Sequence, residues 1–182
     1  LSNQNINLDG LKMVDEATGM SVALIGSDGI YSAVVVSGAN QTIDLSEIAV
    51  PDDLTVLVLQ NEINTDANFE IIKKVPKSTF IILNAAPALT PNKDFFERID
   101  LLVVNQLEAK MLLNEEPSIF NNLDALRKLQ NLGPKEVIIT LGAEGYTGIS
   151  KNGEIFSEPG IKVDVLSTHG AGDSFVGTLA AF

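Results

Sequence analysis

The sequence contains no cysteine and no tryptophan, and it has a single histidine, His169. The absence of cysteine excludes disulfide bridges, thiolate metal sites and a cysteine nucleophile. A single histidine also excludes a metal site built from several imidazoles. No apolar run approaches the ~18 residues of a membrane span, and no signal peptide is visible. We therefore expect a soluble, cytoplasmic protein.

Basic residues are also scarce. The chain has 12 Lys and Arg against 24 Asp and Glu, which gives a formal net charge of -12. Nucleic-acid phosphates and anionic membranes are bound through Lys and Arg, so we expect neither as a partner. The 182 residues are 45% hydrophobic and 20% charged. This composition is typical of one folded domain with a substantial core.

The first third of the chain contains a predicted β-hairpin. Met20–Ile25 and Tyr31–Val36 are rich in β-forming residues, and the turn-forming sequence Gly26–Gly29 separates them. Further along, near-continuous apolar runs indicate strands that are buried on both faces of a parallel sheet. These runs are Thr55–Gln60, Thr79–Asn84, Leu101–Asn105 and Val137–Leu141.

Amphipathic segments between these runs predict helices at Asp66–Val75, Leu107–Leu113 and Leu123–Leu132. Gly133 and Pro134 end the third helix. The alternation of strand and helix favours an α/β fold with a parallel sheet, to which the hairpin is attached as an antiparallel flap.

Polar residues occur where the predicted strands end. Ligands of open α/β sheets bind beyond the carboxyl ends of the strands, so these residues are candidates for a site. They are Gln60, Glu62, Asn84, Asn105 with Glu108, Thr140 and Gly142.

The most informative segment is Gly170–Ser174, which precedes a helix-like stretch ending at Phe182. Small residues allow close approach of a ligand, and the free N–H groups of a helix start bind anions. An aspartate there, Asp173, could accept a proton from an attacking hydroxyl. An ordinary helix start with an acidic residue in its first turn explains the pentapeptide equally well.

Six segments together resemble the ribokinase-like (PfkB) carbohydrate kinases, in family order and at family spacing. The Gly170–Phe175 sequence resembles the second signature of that family. The other segments are Thr18–Ala23 and Ser37–Asn40 at the two ends of the hairpin, Leu83–Ala88, Val104–Ala109 and Ile139–Gly145.

The resemblance implies a three-layer ribokinase-like α/β fold with a mainly parallel sheet and a lid hairpin at residues 18–40. It implies that Asp173 is the general base and that the Gly170, Ala171 and Gly172 backbone forms the anion hole. Glu62 would contact the sugar. The remaining implied positions are Asn105 and Glu108 near Mg²⁺, and Asn105, Thr140, Gly142 and Gly145 at the ATP site.

Several of these positions have a simpler structural interpretation. Asn105 and Glu108 also fit a helix N-cap with a reciprocal partner, and both roles are compatible. Thr140 and Gly142 fit a strand end followed by a turn. Glu62 fits a solvated loop acid, and His169 is read as a loop residue. Ser167 stands where ribokinases usually have an aspartate, which puts activation by K⁺ in doubt.

The chain begins at Leu1 and ends at Phe182 inside a helix-like segment. Against the family pattern, roughly 70 residues in front and about 50 behind are lacking, judged by typical domain sizes. We therefore expect one ribokinase-like domain over residues 1–182 that is truncated at both ends.

The resemblance implies an ATP-dependent kinase that phosphorylates a hydroxymethyl group of a small sugar, with ribose as the first candidate. Fructokinase and 2-keto-3-deoxygluconate kinase activities are alternatives, and so is a non-catalytic nucleotide-binding remnant. The lid hairpin, Met20–Val36, is a candidate contact for a homodimer.

Overall fold

The computed structural model describes residues 6–25, 31–89, 93–115 and 121–182. The chain forms two compact units. One comprises Leu1–Asp52 and Glu62–Val75, and the other comprises Asp53–Asn61 and Pro76–Phe182. The prediction of one domain over residues 1–182 stays a prediction.

The first unit contains the predicted hairpin. Strands β1 (Met20–Ile25) and β2 (Tyr31–Val36) pair antiparallel, with Met20 opposite Val36 and Val22 opposite Val34. Both strand ranges agree with the sequence prediction. The turn predicted at Gly26–Gly29 lies outside the described residues.

Two glycines close the base of this hairpin. A Cβ on Gly19 would lie 2.6 Å from the Ser37 carbonyl oxygen, and one on Gly38 would lie 2.3 Å from the Ala17 oxygen. Gly38 also has φ 49°, a conformation that favours glycine. The Ala39 N–H donates to the Ala17 oxygen over 2.9 Å. The two ends of the hairpin therefore meet backbone against backbone.

The same unit holds helix α1 (Thr65–Lys74), which Asn64 caps by accepting from the Asp66 N–H. Two 3-10 turns, Gly38–Gln41 and Leu45–Glu47, precede it in the chain. The Lys74 ammonium donates to the Leu45 carbonyl oxygen, which connects the end of α1 to the second turn.

The second unit is built on a six-stranded sheet in the order β3-β4-β5-β6-β7-β8. Strands β3 to β6 pair parallel, whereas β7 pairs antiparallel with β6 and β8 pairs antiparallel with β7. The strands are β3 (Val56–Gln60), β4 (Phe80–Asn84), β5 (Leu101–Asn105), β6 (Glu136–Thr140), β7 (Tyr146–Ile149) and β8 (Ile155–Glu158).

The helices of this unit are α2 (Lys93–Glu97), α3 (Gln106–Leu113), α4 (Asn122–Gln130) and α5 (Ala171–Ala181). Val176 of α5 packs against Val103 and Ile138 of the sheet. The alternate residues Leu102 and Ile139 are fully buried on the opposite face, and α3 and α4 contact β5 and β6. The predicted three-layer, mainly parallel α/β fold is confirmed.

The structure differs from the sequence prediction in several details. The helix α2 and the hairpin β7–β8 are absent from the sequence prediction. The run Leu101–Asn105 coincides with β5, and the other three runs differ from the observed strands by one residue at one or both ends. Strand β3, the edge strand of the sheet in the described residues, is only partly buried, with Val58 42% exposed. It is therefore not covered on both faces as the apolar run suggested.

Within the described ranges, no helix combines the length and the apolar character that crossing a membrane requires.

Candidate active site at the carboxyl edge of the sheet

The parallel register places four predicted polar residues along one edge of the sheet. Gln60 pairs with Asn84 at the ends of β3 and β4, and Asn105 pairs with Thr140 at the ends of β5 and β6. All four are the last residues of their strands. Parallel strands present their carboxyl ends to the same edge, where ligands bind in such sheets.

The loops that leave β3 and β4 are joined to each other. Asn61 is 5% exposed and donates two hydrogen bonds to the loop after β4. Its backbone N–H donates to the Ala86 oxygen over 3.1 Å, and its side-chain amide donates to the Pro87 oxygen over 2.9 Å. Together with the strand pairing, these bonds fix the backbone at Gln60.

Helix α5 begins at this edge and runs back along the sheet. Val176 is 4% exposed, and Phe175, Leu179 and Ala180 pack beside it. The Phe175 ring also lies 5.4 Å from the Tyr146 ring, measured between centroids. Asp173 is three residues before Val176 and so lies on the sheet-facing side of the helix, one turn nearer its start.

Asp173 meets the end of β3 directly. The Gln60 side-chain amide donates a hydrogen bond to Asp173 Oδ1 over 3.2 Å. The two residues are 113 positions apart in the sequence. Gln60 was among the polar strand ends found in the sequence, but nothing there indicated that it contacts Asp173.

The start of α5 has open space around its glycines. Gly170 is the N-cap and has φ 75°. Apart from chain neighbours and the adjacent backbone of α5 itself, a Cβ built on Gly170 or Gly172 would have no heavy atom of the described structure within 4 Å. The amides of Gly172 and Asp173 lie in the first turn, where helix geometry supplies no acceptor. This combination can accommodate an anion at the helix N-terminus.

Asn105 and Glu108 form a reciprocal cap on α3. Asn105 Oδ1 accepts from the Glu108 N–H, and Glu108 Oε2 accepts from the Asn105 N–H, each over 2.8 Å. Burial raises the pKa of the Glu108 carboxyl, while its hydrogen bonds with Asn105 act in the opposite direction. The structural interpretation of this pair is confirmed, and the cap holds both side chains at the end of β5.

Asn105 and Glu108 could supply only some of the ligands of a Mg²⁺ ion. Across residues 6–25, 31–89, 93–115 and 121–182, no three His, Cys, Asp or Glu side chains are grouped to hold a metal ion. One carboxylate and one amide oxygen nevertheless fit a Mg²⁺ ion that keeps several waters and binds phosphate oxygens. The donor set therefore fits a hydrated ion rather than an all-protein cage.

The loop from β6 to β7 contains the other predicted nucleotide-site residues. The Thr140 hydroxyl donates to the Val104 oxygen over 3.4 Å. Gly142 has φ 60° and open space around its α-carbon, whereas a Cβ on Gly145 would lie 2.0 Å from the Glu158 oxygen. A Cβ on Gly160 would likewise lie 2.2 Å from the Ala143 oxygen. Gly145 and Gly160 are thus required by close backbone packing, and Gly160 was missed in the sequence.

Three remaining residues are exposed. Glu62 belongs to the first unit, immediately after Asn61 in the chain, and its side chain is exposed. His169 and Ser167 lie in the exposed segment before α5, where the His169 N–H donates to the Ser167 hydroxyl over 3.1 Å. The predicted assignment of His169 to a loop is therefore confirmed.

The pfkB family carbohydrate kinase model matches residues 1–182. The chain belongs to this family. Among the curated pfkB relatives, the ribokinase of Schizosaccharomyces pombe is 30% identical over 191 residues, which cover 99% of this chain and 60% of that protein. The ribokinase of Arabidopsis thaliana is 32% identical and is covered to 49%. The chain thus spans about half to three fifths of the length of these relatives.

Solved structures of the family agree with the fold. The ribokinase from Cryptococcus neoformans var. grubii serotype A in complex with ADP matches with a TM-score of 0.83 and 27% identity. The match covers 99% of this chain and 63% of that one. The Arabidopsis thaliana ribokinase complexed with ribose and ATP matches with a TM-score of 0.75 and 29% identity, covering 91% and 56% of the two chains.

Proposed function

We propose that the protein to which this chain belongs is an ATP-dependent sugar kinase with ribose as its substrate. The observation that carries the proposal is the placement of Asp173. This carboxylate lies in the first turn of α5, at the start of the helix and at the carboxyl edge of a parallel sheet. The matched ribokinases, one of which is complexed with ribose and ATP, support ribose as the first sugar to test.

In the proposed reaction, Asp173 accepts the proton of a sugar hydroxymethyl group. The sugar oxygen forms a bond to the γ-phosphorus of ATP, and the bond between that phosphorus and the β–γ bridging oxygen breaks. The products are a sugar phosphate and ADP, and the proton rests on the Asp173 carboxylate until it passes to solvent. Such a reaction depends mainly on positioning and on stabilisation of phosphoryl charge.

The start of α5 is suited to that stabilisation. The backbone amides of Gly172 and Asp173, together with the positive end of the helix dipole, would bind the phosphoryl oxygens. Gly170 and Ala171 complete the proposed anion hole. Because Gly170 and Gly172 have no side chain, the phosphate has room to approach the backbone there.

The other proposed binding residues have separate roles. Thr140, Gly142 and Gly145, which follow β6, would line the ATP site. Glu62 would contact the sugar. Asn105 and Glu108 would hold Mg²⁺ through its water ligands. When bound, Mg²⁺ neutralises phosphate charge and orients the phosphates. A requirement for K⁺ stays in doubt, because Ser167 offers a hydroxyl instead of a carboxylate.

A homodimer through the lid hairpin and a cytoplasmic location stay predictions. The hairpin supports the former with an exposed apolar face. Met20 and Val36 pair across the strands, as do Val22 and Val34, and residues that pair directly share one face. All four side chains are exposed in the described structure.

The test is an assay of ADP release by the whole natural protein with ATP and Mg²⁺. The sugars would be ribose, deoxyribose, fructose and 2-keto-3-deoxygluconate, each compared with a reaction that lacks sugar. We expect ribose to give the highest kcat/KM. Faster turnover of another sugar would contradict the substrate assignment. ATP binding without turnover of any sugar would instead support a non-catalytic nucleotide-binding protein.

A further inference from the structure

We propose that Gln60 is a positioning residue for Asp173, and that its amide orients the carboxylate for proton transfer. This inference rests on the proposed kinase function and assigns a role to a residue outside the family resemblance. The geometry that carries it is the 3.2 Å hydrogen bond from Gln60 Nε2 to Asp173 Oδ1.

The two ends of this bond are held by independent parts of the fold. Gln60 is fixed by its pairing with Asn84 and by the two hydrogen bonds that Asn61 donates to the loop after β4. Asp173 is fixed by the packing of Val176 into the sheet one turn further along α5. A bond between two held groups restricts rotation of the carboxylate more than a bond to a mobile surface side chain.

The chemistry of the donor suits a general base. With Oδ1 accepting from Gln60, Oδ2 is the oxygen that can receive the sugar proton. A lysine in place of Gln60 would form an ion pair and make the carboxylate a weaker base. A neutral amide orients the carboxylate without placing a positive charge beside it.

The bond contributes little to folding by itself. Asp173 is exposed, and an exposed hydrogen bond competes with water. A structural role would therefore appear as a small change in stability, whereas a positioning role would appear in kcat. This difference separates the two interpretations experimentally.

The experiment is a double-mutant cycle in the whole natural protein, assayed with ATP and the panel sugar that is phosphorylated fastest. Gln60→Leu and Gln60→Met both remove the donor at similar size without adding a charge. We expect each variant to lower kcat about 10-fold or more, as for loss of a hydrogen bond to a charged group. The KM for ATP should change less than 2-fold, roughly, because ATP binding uses other groups.

The cycle also needs the Asp173→Ala variant and the double variant with Gln60→Leu. Asp173→Ala removes the carboxylate that accepts the hydrogen bond from Gln60. In that background, Gln60→Leu should cause no further loss of kcat. The matched control is Gln106→Leu, since Gln106 Nε2 also donates an exposed side-chain bond over 3.2 Å, to Asn122 Oδ1. This control should leave kcat unchanged.

The outcomes distinguish the two proposals. An unchanged kcat in both Gln60 variants, or losses that add fully to that of Asp173→Ala, would overturn the role of Gln60 alone. An unchanged kcat in Asp173→Ala would overturn the base assignment, and the role of Gln60 with it. Non-additive losses confined to the Gln60 and Asp173 variants would support both.

Discussion

Two glycines in the loop between β6 and β7 differ in the space around their α-carbons. Gly142 and Gly145 both have positive φ, 60° and 96°. Only Gly145 is pressed against other backbone, with Glu158 and Gly160 closer to its missing Cβ than van der Waals contact allows. Glycine is therefore favoured at position 142 by the backbone conformation alone, and at position 145 by both the conformation and the close packing.

Alanine substitutions test this difference. We expect Gly145→Ala to destabilise the protein by about 2–4 kcal/mol, because the new methyl group displaces backbone as well as straining φ. Gly142→Ala, the matched control, should cost only about 1 kcal/mol for the positive φ. Urea unfolding of both variants measures the two values. Equal destabilisation would show that contact with the 158–160 backbone does not constrain Gly145.

Glu108 combines a confirmed cap with a proposed role near Mg²⁺, and Glu108→Gln separates the two. Glutamine can keep the capping bonds. Because burial raises the pKa of Glu108, the folded protein favours the protonated carboxyl. Protonation of Glu108 thus stabilises the folded state at low pH, and this stabilisation is lost as the pH rises through the raised pKa. The variant should therefore gain stability relative to the natural protein as the pH rises above the ordinary range of a glutamate carboxyl, about 4.3.

The same variant reports on the metal. We expect the Mg²⁺ concentration for half-maximal turnover to rise about 10-fold or more, as for loss of a group that holds metal-bound water. Thermal unfolding at several pH values and Mg²⁺ titration of turnover are the two measurements. An unchanged Mg²⁺ requirement would leave Glu108 with the capping role only.

At the scale of single residues, the sequence predicted contacts between near neighbours in the chain but not contacts between distant residues. The capping pair Asn105–Glu108 could be predicted because both partners lie within one helical turn. The Gln60–Asp173 bond could not, because it depends on how α5 packs on a sheet whose residues are distant in sequence. The tight fit of Gly160 against Ala143 was missed for the same reason.

At the scale of elements, α5 contains two glycines with open surroundings, Gly172 in its first turn and Gly177 near its middle. Alanine at either position should stabilise the helix by up to about 1 kcal/mol. Only the methyl group at position 172 would stand beside the proposed phosphate site. Gly172→Ala should therefore weaken ATP binding, whereas Gly177→Ala should not.

Isothermal titration with ATP and thermal unfolding measure both effects. We expect the Kd for ATP to rise about 10-fold in Gly172→Ala, the cost of about one lost backbone contact to a charged group. A similar change in Gly177→Ala would attribute the loss to the helix as a whole and would contradict an anion site at its start.

The elements that were predicted are those with strong local patterns. The central strands β4 to β6 are apolar runs bounded by polar residues, and helix α4 carries Leu126 and Leu129 at helical spacing. Helix α2 has only five residues, too few to show a helical repeat of apolar positions. Its adjacent residues Phe95 and Phe96 are both buried, which is not the spacing of an amphipathic helix. The hairpin β7–β8 has a local signal in the sequence, the turn-forming pair Asn152-Gly153.

At the scale of the whole molecule, the lid hairpin carries a prediction about assembly. Val34 belongs to the exposed apolar face with Met20, Val22 and Val36, whereas Val35 points to the opposite face and is similarly exposed, 61% against 52%. If that face forms the proposed homodimer, Val34→Asp should shift the protein to monomers. Val35→Asp is the matched control and should not.

Light scattering coupled to size exclusion measures the mass of the natural protein and of both variants. A monomeric natural protein, or a dimer that Val34→Asp leaves intact, would contradict dimerisation through this face. Charged residues at an apolar contact are costly because their burial is not compensated.

The most direct test of the proposed function is Asp173→Asn in the whole natural protein, with kcat and the Kd for ATP measured together. The amide keeps the shape of the side chain but cannot act as a general base. We expect kcat to fall by on the order of 10²–10⁴ while ATP binding stays nearly intact. An unchanged kcat would contradict the assignment of Asp173 as the base of a sugar kinase.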